Sequence, residues 1–243
     1  MSAAEWKAED HPRVELGRFG ESGGGGGKAD RDRKYAERKE RKRAVRERKE
    51  AARAEEKAKL EKLANRTPGE IRGRLDAQSA VSIESADIQG MPKGAGFSNR
   101  VAERLEKKNV FGKHENSDTG WKDVEFDKRS VVRVMVHNSE AGKAALMEQA
   151  PKLIEQGTYL ETTRINNEGL DSHVFAVKAT IDGTEHLVGF SVRQDFNGKR
   201  YYNHEMKTMA EAKQWRRGDG FTPQYGKNGK ESIMSIVRRK LSV

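Results

Sequence analysis

The stretch Ser172–Thr208 constrains the fold more than any other part of the chain. It holds two turn dipeptides, Asp182-Gly183 and Asn197-Gly198, between runs rich in Val, Ile, Phe, Tyr and Thr. Such dipeptides tolerate the positive φ angles of two-residue hairpin loops, so three antiparallel strands are predicted. Two-residue turns pair Ile181 with Thr184, Ala179 with His186, Val177 with Val188 and Phe175 with Phe190. That face is mostly apolar and is expected to cover the core. The opposite face then carries Lys178, Ser191 and Arg193. In the second hairpin Arg193 is expected opposite Tyr202, and Ser191 opposite His204.

A histidine, an arginine, a lysine, a hydroxyl and a phenol on one open face suit phosphodiester cleavage. That chemistry needs one group to take the 2′-hydroxyl proton and another to protonate the leaving oxygen. It also needs cations to stabilise charge on phosphorus. His204 is the natural acid or base near neutral pH. Arg193 and Lys178 suit the phosphate, Ser191 supplies a hydroxyl, and Tyr202 or Tyr201 can stack on a base. The scheme calls for no metal and no cofactor. The plainer alternative is an antiparallel sheet with one wet face, which carries polar residues in any case. His173 and His186 fall on the apolar face and read as structural. His114 falls in an expected loop, and His137 ends a segment, Ser130–His137, that suits either strand or helix.

Composition narrows the class. Of the 243 residues 34% are hydrophobic and 35% charged, so part of the chain is expected to stay outside any core. No apolar run approaches the length of a membrane span. With no cysteine, disulfides and thiolate-bound zinc are excluded. The net charge of +10 is uneven: Lys28–Ala64 holds sixteen Lys/Arg and nine Asp/Glu, a balance of +7. That segment is rich in helix formers, with supportive pairs such as Glu37–Arg41, but has no sustained apolar seam. It reads as a solvated helix, either a charged spacer or an arm for a polyanion.

Elsewhere the punctuation is local. Thr67-Pro68-Gly69-Glu70 is a capping-box start for a short helix to about Ala77. Ala80–Glu84 suits a strand, and Met91–Phe97 a loop. Ser98 is expected to cap a helix to about Lys108, followed by a loop over Asn109–Gly120. Trp121–Phe126 suits a strand. Glu140–Glu155 predicts a helix that Pro151 kinks or splits. Thr158–Ile165 suits a strand and Asn166–Asp171 a loop. After the meander come a short helix over Ala210–Arg216, a Gly-rich loop over Gly218–Gly229, and a helix over Ser232–Leu241 with Ile233, Ile236 and Val237 inward.

Two resemblances add to this. WKAEDHPRVELGRF, near the N-terminus, resembles a segment of phage head-morphogenesis and related virion proteins. The span from about Gly120 to Met206, with NSDTGWKDVEF running into it, ALMEQAPKLIEQG, and HVFAVKATIDGTEHLVGFSVRQDFNGKRYYNHEM, resembles the small α+β domains of phage and mobile-element polyvalent proteins. Those domains are associated with the barnase–EndoU–colicin–RelE class of metal-independent RNase folds. The resemblance favours a helix at Ser130–His137 and implies no secure catalytic set.

The expected fold is therefore α+β, an antiparallel β-meander packed against helices, preceded by a disordered head and a long charged helix. The expected divisions are a disordered segment 1–27, a charged helical linker 28–66, and an α+β domain 67–243 with its core at about 120–207. The leading functional expectation is a phage- or prophage-associated, cytoplasmic or virion-associated protein with an RNase-like effector domain. RNA is then a partner. The rival is a non-catalytic accessory or interaction module that meets phage head proteins. A third reading gives the basic helix 28–64 a polyanion to bind. No membrane contact is expected.

Overall fold

The computed structural model describes residues 28–84, 96–129, 131–132, 141–165, 170–195, 197–210 and 232–241. The segment 1–27, most of Ser130–His137 and Asn166–Asp171, and the expected helix and Gly-rich loop after Ala210 lie outside them. Of the ambiguous segment, Val131 and Val132 are helical, and Val131 is buried.

Helix α1, Lys28–Ala64, opens the described chain. The chain divides into two compact units, Met1–Ala54 and Glu55–Val243, so the last part of α1 belongs to the second. There Leu60 is buried, and Leu63 and Ala64 pack against the core. The folded unit thus draws on residues within the span expected to be linker. Helix α2, Pro68–Asp76, begins on the expected capping box. Thr67 Oγ1 accepts from the Glu70 amide at 3.3 Å, and the Thr67 amide donates to the Glu70 carboxylate at 2.7 Å. After β1 (Val81–Ile83) comes α3, Phe97–Lys107. Its N-cap is Gly96 at φ +77°, without a side-chain cap, rather than Ser98.

Asn109–Gly120 is not all loop. Gly112–Asn116 forms β2, an edge strand in a hairpin with β3, Trp121–Phe126. Its sequence, GKHEN, has no β-branched residue, and its charged and polar side chains suit an exposed edge. The expected helix around Pro151 is two helices, α4 (Ala141–Glu148) and α5 (Ala150–Gln156), with the proline in the first turn of α5. A proline there gives up no intrahelical hydrogen bond. Strands β4 (Thr158–Ile165), β5 (Leu170–Ile181), β6 (Thr184–Gln194) and β7 (Arg200–Ala210) precede the closing helix α6, Ile233–Leu241.

The α+β class and the β5–β6–β7 antiparallel meander stand as expected, within a larger mixed sheet. The order is β1-β5-β6-β7-β3-β2, with β4 also on β5. Strands β1 and β3 join in parallel, β1 on β5 and β3 on β7. The β5–β6 register matches expectation throughout, from Ile181 opposite Thr184 to Phe175 opposite Phe190. Asp182 at φ +49° and Gly183 at φ +80° make the two-residue turn.

Both faces of the sheet are covered. On one, Phe175, Val177, Val188, Phe190 and Val192 pack with Val101 and Leu105 of α3, Met147 of α4 and Leu153 of α5. On the other, Val174, Ala176 and Leu187 pack with Ile71 and Leu75 of α2 and with Ile233, Ile236 and Val237 of α6. The inward face of α6 is the one its sequence predicts. The expectation of one open polar face is corrected. The run HVFAVKA is nearly continuously apolar, the pattern of a strand buried on both sides.

Candidate functional site

The second hairpin differs from its expected register. The Asp195 amide donates to Lys199 O at 3.0 Å, and the Gly198 amide to Asp195 O at 2.9 Å. Asp195 Oδ1 also accepts from the Asn197 and Lys199 amides at 2.8 and 2.9 Å. Three residues therefore lie between Asp195 and Lys199, with Gly198 at φ +86°. Asp195 is the anchor of this loop. The strands slip by one: Arg193 faces Tyr201, Val192 faces Tyr202, and Ser191 faces Asn203.

A one-residue slip exchanges the faces of every side chain on the strand. Tyr202 accordingly stands in the core, 1% exposed, with ring centroids 5.3 Å from Phe126 and 5.4 Å from Phe190. Its hydroxyl is buried without a hydrogen-bond partner, and burial alone pushes the phenol far above its ordinary pKa. The place expected for Tyr202 opposite Arg193 belongs to Tyr201, whose ring lies 4.6 Å from Lys199 Nζ.

The other expected site residues are spread along the second face. Ser191 is fully buried. Lys178 is partly exposed and paired with Asp76 of α2. It stands opposite Leu187, whereas Ser191 stands opposite Val174, so the two are four strand positions apart, about 13 Å. Arg193 is half-buried and its Nε lacks a hydrogen-bond partner. Between the Ser191–Asn203 and Gly189–Lys207 pairs the register shifts by two, and His204 lies in that bulge. Its side chain is outside the described residues. Near the middle of the face, Gly189 admits α6. A Cβ there would lie 2.8 Å from Ile233 Cγ2 and 3.0 Å from Met234 Sδ.

The densest polar cluster stands on the first face instead. His173 is 2% exposed, its ring 4.8 Å from that of Trp121 in an edge-on contact. Its Nε2 lies 3.0 Å from Gln194 Oε1, and its Nδ1 lies 2.8 Å from Thr162 Oγ1. Thr162 Oγ1 in turn lies 2.6 Å from the Tyr159 hydroxyl. An amide oxygen only accepts, so Nε2 carries the proton and Nδ1 accepts from Thr162. Tyr159 then donates to Thr162. Burial, opposed by the Gln194 bond, lowers the His173 pKa, and burial raises that of Tyr159 to about 12. With its pKa below the ordinary value, His173 is neutral near pH 7, and the chain of bonds runs from the buried His173 and Tyr159 to the exposed Thr162. The expected structural role for His173 fits this geometry.

Beside it, the Arg200 guanidinium lies 4.5 Å over the Trp121 ring and pairs with Asp123 at 2.5 Å and with Glu56. The Trp121 indole donates to Glu56 at 2.6 Å. The turn before Trp121 is equally committed. Asn116 Nδ2 donates to Ile154 O and Gly157 O at 2.6 and 2.8 Å, closing the end of α5. Asp118 takes Arg66 in a two-pronged bond at 2.7 and 2.8 Å, Arg74 at 2.6 Å, and the Tyr159 amide at 2.9 Å. Gly120, at φ +73°, has Lys59 Nζ 3.0 Å from where a Cβ would stand. The sequence marks this NSDTGW run as a motif, but none of its long-range partners is visible there.

His114 is half-buried in β2, with Nε2 3.0 Å from Val110 O and its pKa lowered by burial. Among the described residues no three His, Cys, Asp or Glu side chains gather as a metal site, and no helix is long and apolar enough to cross a membrane.

A mixed sheet with helices on both faces and a polar hub at the 116–121 turn defines the folded unit. Residues 97–202, from α3 to Tyr202, match the family model of large polyvalent protein-associated domain 3. That match associates the span with large polyvalent proteins. No curated protein and no solved structure matches the chain.

Proposed function

We propose that the folded unit is a non-catalytic interaction module of a phage or mobile-element polyvalent protein. The match over residues 97–202 supports the setting. The observation that carries the non-catalytic part is the fate of the expected RNA-cleaving set. Tyr202 packs in the core on the opposite face, Ser191 is fully buried, and α6 packs on β6 at Leu187, the residue opposite Lys178, and at Gly189. A phosphodiester-cleaving site needs its acid, base and cations around one accessible phosphorus.

The test is incubation of the full chain with total tRNA and mRNA in EDTA, beside His204→Ala and Arg193→Ala, with folding checked by circular dichroism. Intact RNA in every lane is expected. Cleavage by the parent chain that both substitutions abolish would overturn this reading and restore the RNase-like effector. Cleavage unchanged in both would also overturn it and move the active site elsewhere.

A further inference from the structure

The charge of α1 is divided along its length and around its axis. Lys28–Ala54 has thirteen Lys/Arg and six Asp/Glu, or +7, while Glu55–Ala64 has three of each, or zero. The whole excess therefore belongs to the part of the helix outside the folded unit. At about 100° per residue, Arg31, Arg38, Lys42 and Lys49 fall within roughly 20° of one line along the helix. Six more cations flank them within about 80°, and all six acidic residues lie at about 100° or more from that line. Tyr35 and Val45, the exposed large hydrophobics of the described residues, stand inside the basic stripe at 72% and 48% exposure.

A helix kept soluble by mixed ion pairs scatters both signs around its surface. Here the acids gather on the back with Arg33, Arg43 and Arg48, where Arg33 pairs with Asp30 and Arg43 with Glu47, while at the border of the stripe Lys34 pairs with Asp30 and Arg46 with Glu50. The front presents cations every three or four residues over about 40 Å of helix.

We propose that this stripe docks on duplex DNA through its phosphates, without reading sequence. The charge complementarity is direct: a duplex carries about one negative charge per 1.7 Å, and its counterions are released when cations replace them. The roughly 12 Å major groove also admits an α-helix. Other occupants fit less well. A bilayer surface needs a continuous apolar stripe, and Tyr35 and Val45 do not make one. A protein groove needs apolar anchors at successive turns. Single-stranded nucleic acid needs several stacking aromatics, and Tyr35 stands alone on this face.

The experiment uses the full chain and a fluorescent 20-base-pair duplex in an anisotropy titration from about 50 to 200 mM salt. Two triple variants lose the same charge: Arg38→Gln/Lys42→Gln/Lys49→Gln on the stripe, and Arg33→Gln/Arg43→Gln/Arg48→Gln on the back. Circular dichroism confirms that each remains helical. The stripe variant is expected to bind at least tenfold more weakly, with a salt slope shallower by about 2 to 3. The back variant is expected to stay within about threefold of the parent. Equal weakening in both would overturn the stripe and leave only diffuse net charge. The absence of duplex binding by the parent at 50 mM salt would overturn the proposal. Tighter binding to single-stranded RNA, or to vesicles containing phosphatidylserine, would do so as well.

Discussion

Glu56 and Trp121 meet in a 2.6 Å hydrogen bond from the indole nitrogen to the carboxylate, joining positions 65 residues apart. The same carboxylate holds Arg200, and one turn further along α1 Leu60 enters the core. One side of the end of α1, with Glu56 and Leu60, is therefore packed into the folded unit.

A fragment starting at residue 67 should be markedly weaker than one starting at residue 55. It loses the buried Leu60, leaves the Trp121 indole without its acceptor, and frees one side of Arg200. Those losses together are expected to cost about 3 kcal/mol or more. Urea unfolding of fragments 55–243 and 67–243 measures the difference, and coincident midpoints would refute it.

Tyr202→Phe should leave stability unchanged or raise it by up to about 1 kcal/mol, because the hydroxyl is desolvated without a partner. The readout is the denaturation midpoint. A loss above about 1 kcal/mol would mean that the hydroxyl has a partner after all.

Gly189→Ala should push α6 off the sheet. Its methyl would stand 2.8 Å from Ile233 Cγ2 and 3.2 Å from Val237 Cγ2, an overpacking that costs about 1–3 kcal/mol. Hydrogen exchange should localise the effect to α6 and the strands beneath it. Protection spread evenly over the unit would contradict this.

Asp118→Ala should be among the most damaging single changes. The side chain is 2% exposed and holds two arginines and the Tyr159 amide, and Arg66 beside it is only 13% exposed. Removing one member of such a pair strands a buried cation and costs about 3–5 kcal/mol. Asp118→Asn should cost less, since it keeps an acceptor for the amide. An unchanged melting temperature in the alanine variant would rule out this account.

Stability should fall as the pH drops below about 6.5. Burial depresses the His173 and His114 pKa values in the folded chain, so the unfolded chain binds more protons in that range. The loss starts near the unfolded pKa and continues until the lowered folded pKa is passed. Melting temperatures between pH 7.5 and 5 read this out. His173→Gln should flatten the slope, and an identical slope in that variant would exclude His173 as its source.

What the sequence disclosed was local. The Thr67–Glu70 box, the break at Pro151, the Asp182-Gly183 turn with its register, and the inward face of α6 each depend on residues a few positions apart. What it concealed was long-range or decided by one side chain. The parallel joins of β1 and β3 have no local signature. The polar strand Gly112–Asn116 becomes a strand only because β3 is beside it. At the second turn, Asn197-Gly198 suggests a two-residue loop, but the Asp195 carboxylate gathers two backbone amides and lengthens it. That single side chain moves Tyr202 from the expected site into the core. The second face was misread for a different reason: Lys178, Ser191 and Arg193 stood out, while Val174, Ala176, Leu187 and Gly189 between them marked a helix-covered surface.

Helix α6 completes that surface late. On a ribosome, Ile233 follows Gln194 by about forty residues, roughly two to eight seconds of synthesis at usual rates. Through that interval Val174, Ala176 and Leu187 await their cover from α6, a hydrophobic opening that a nascent-chain chaperone could occupy and that α6 must then reclaim.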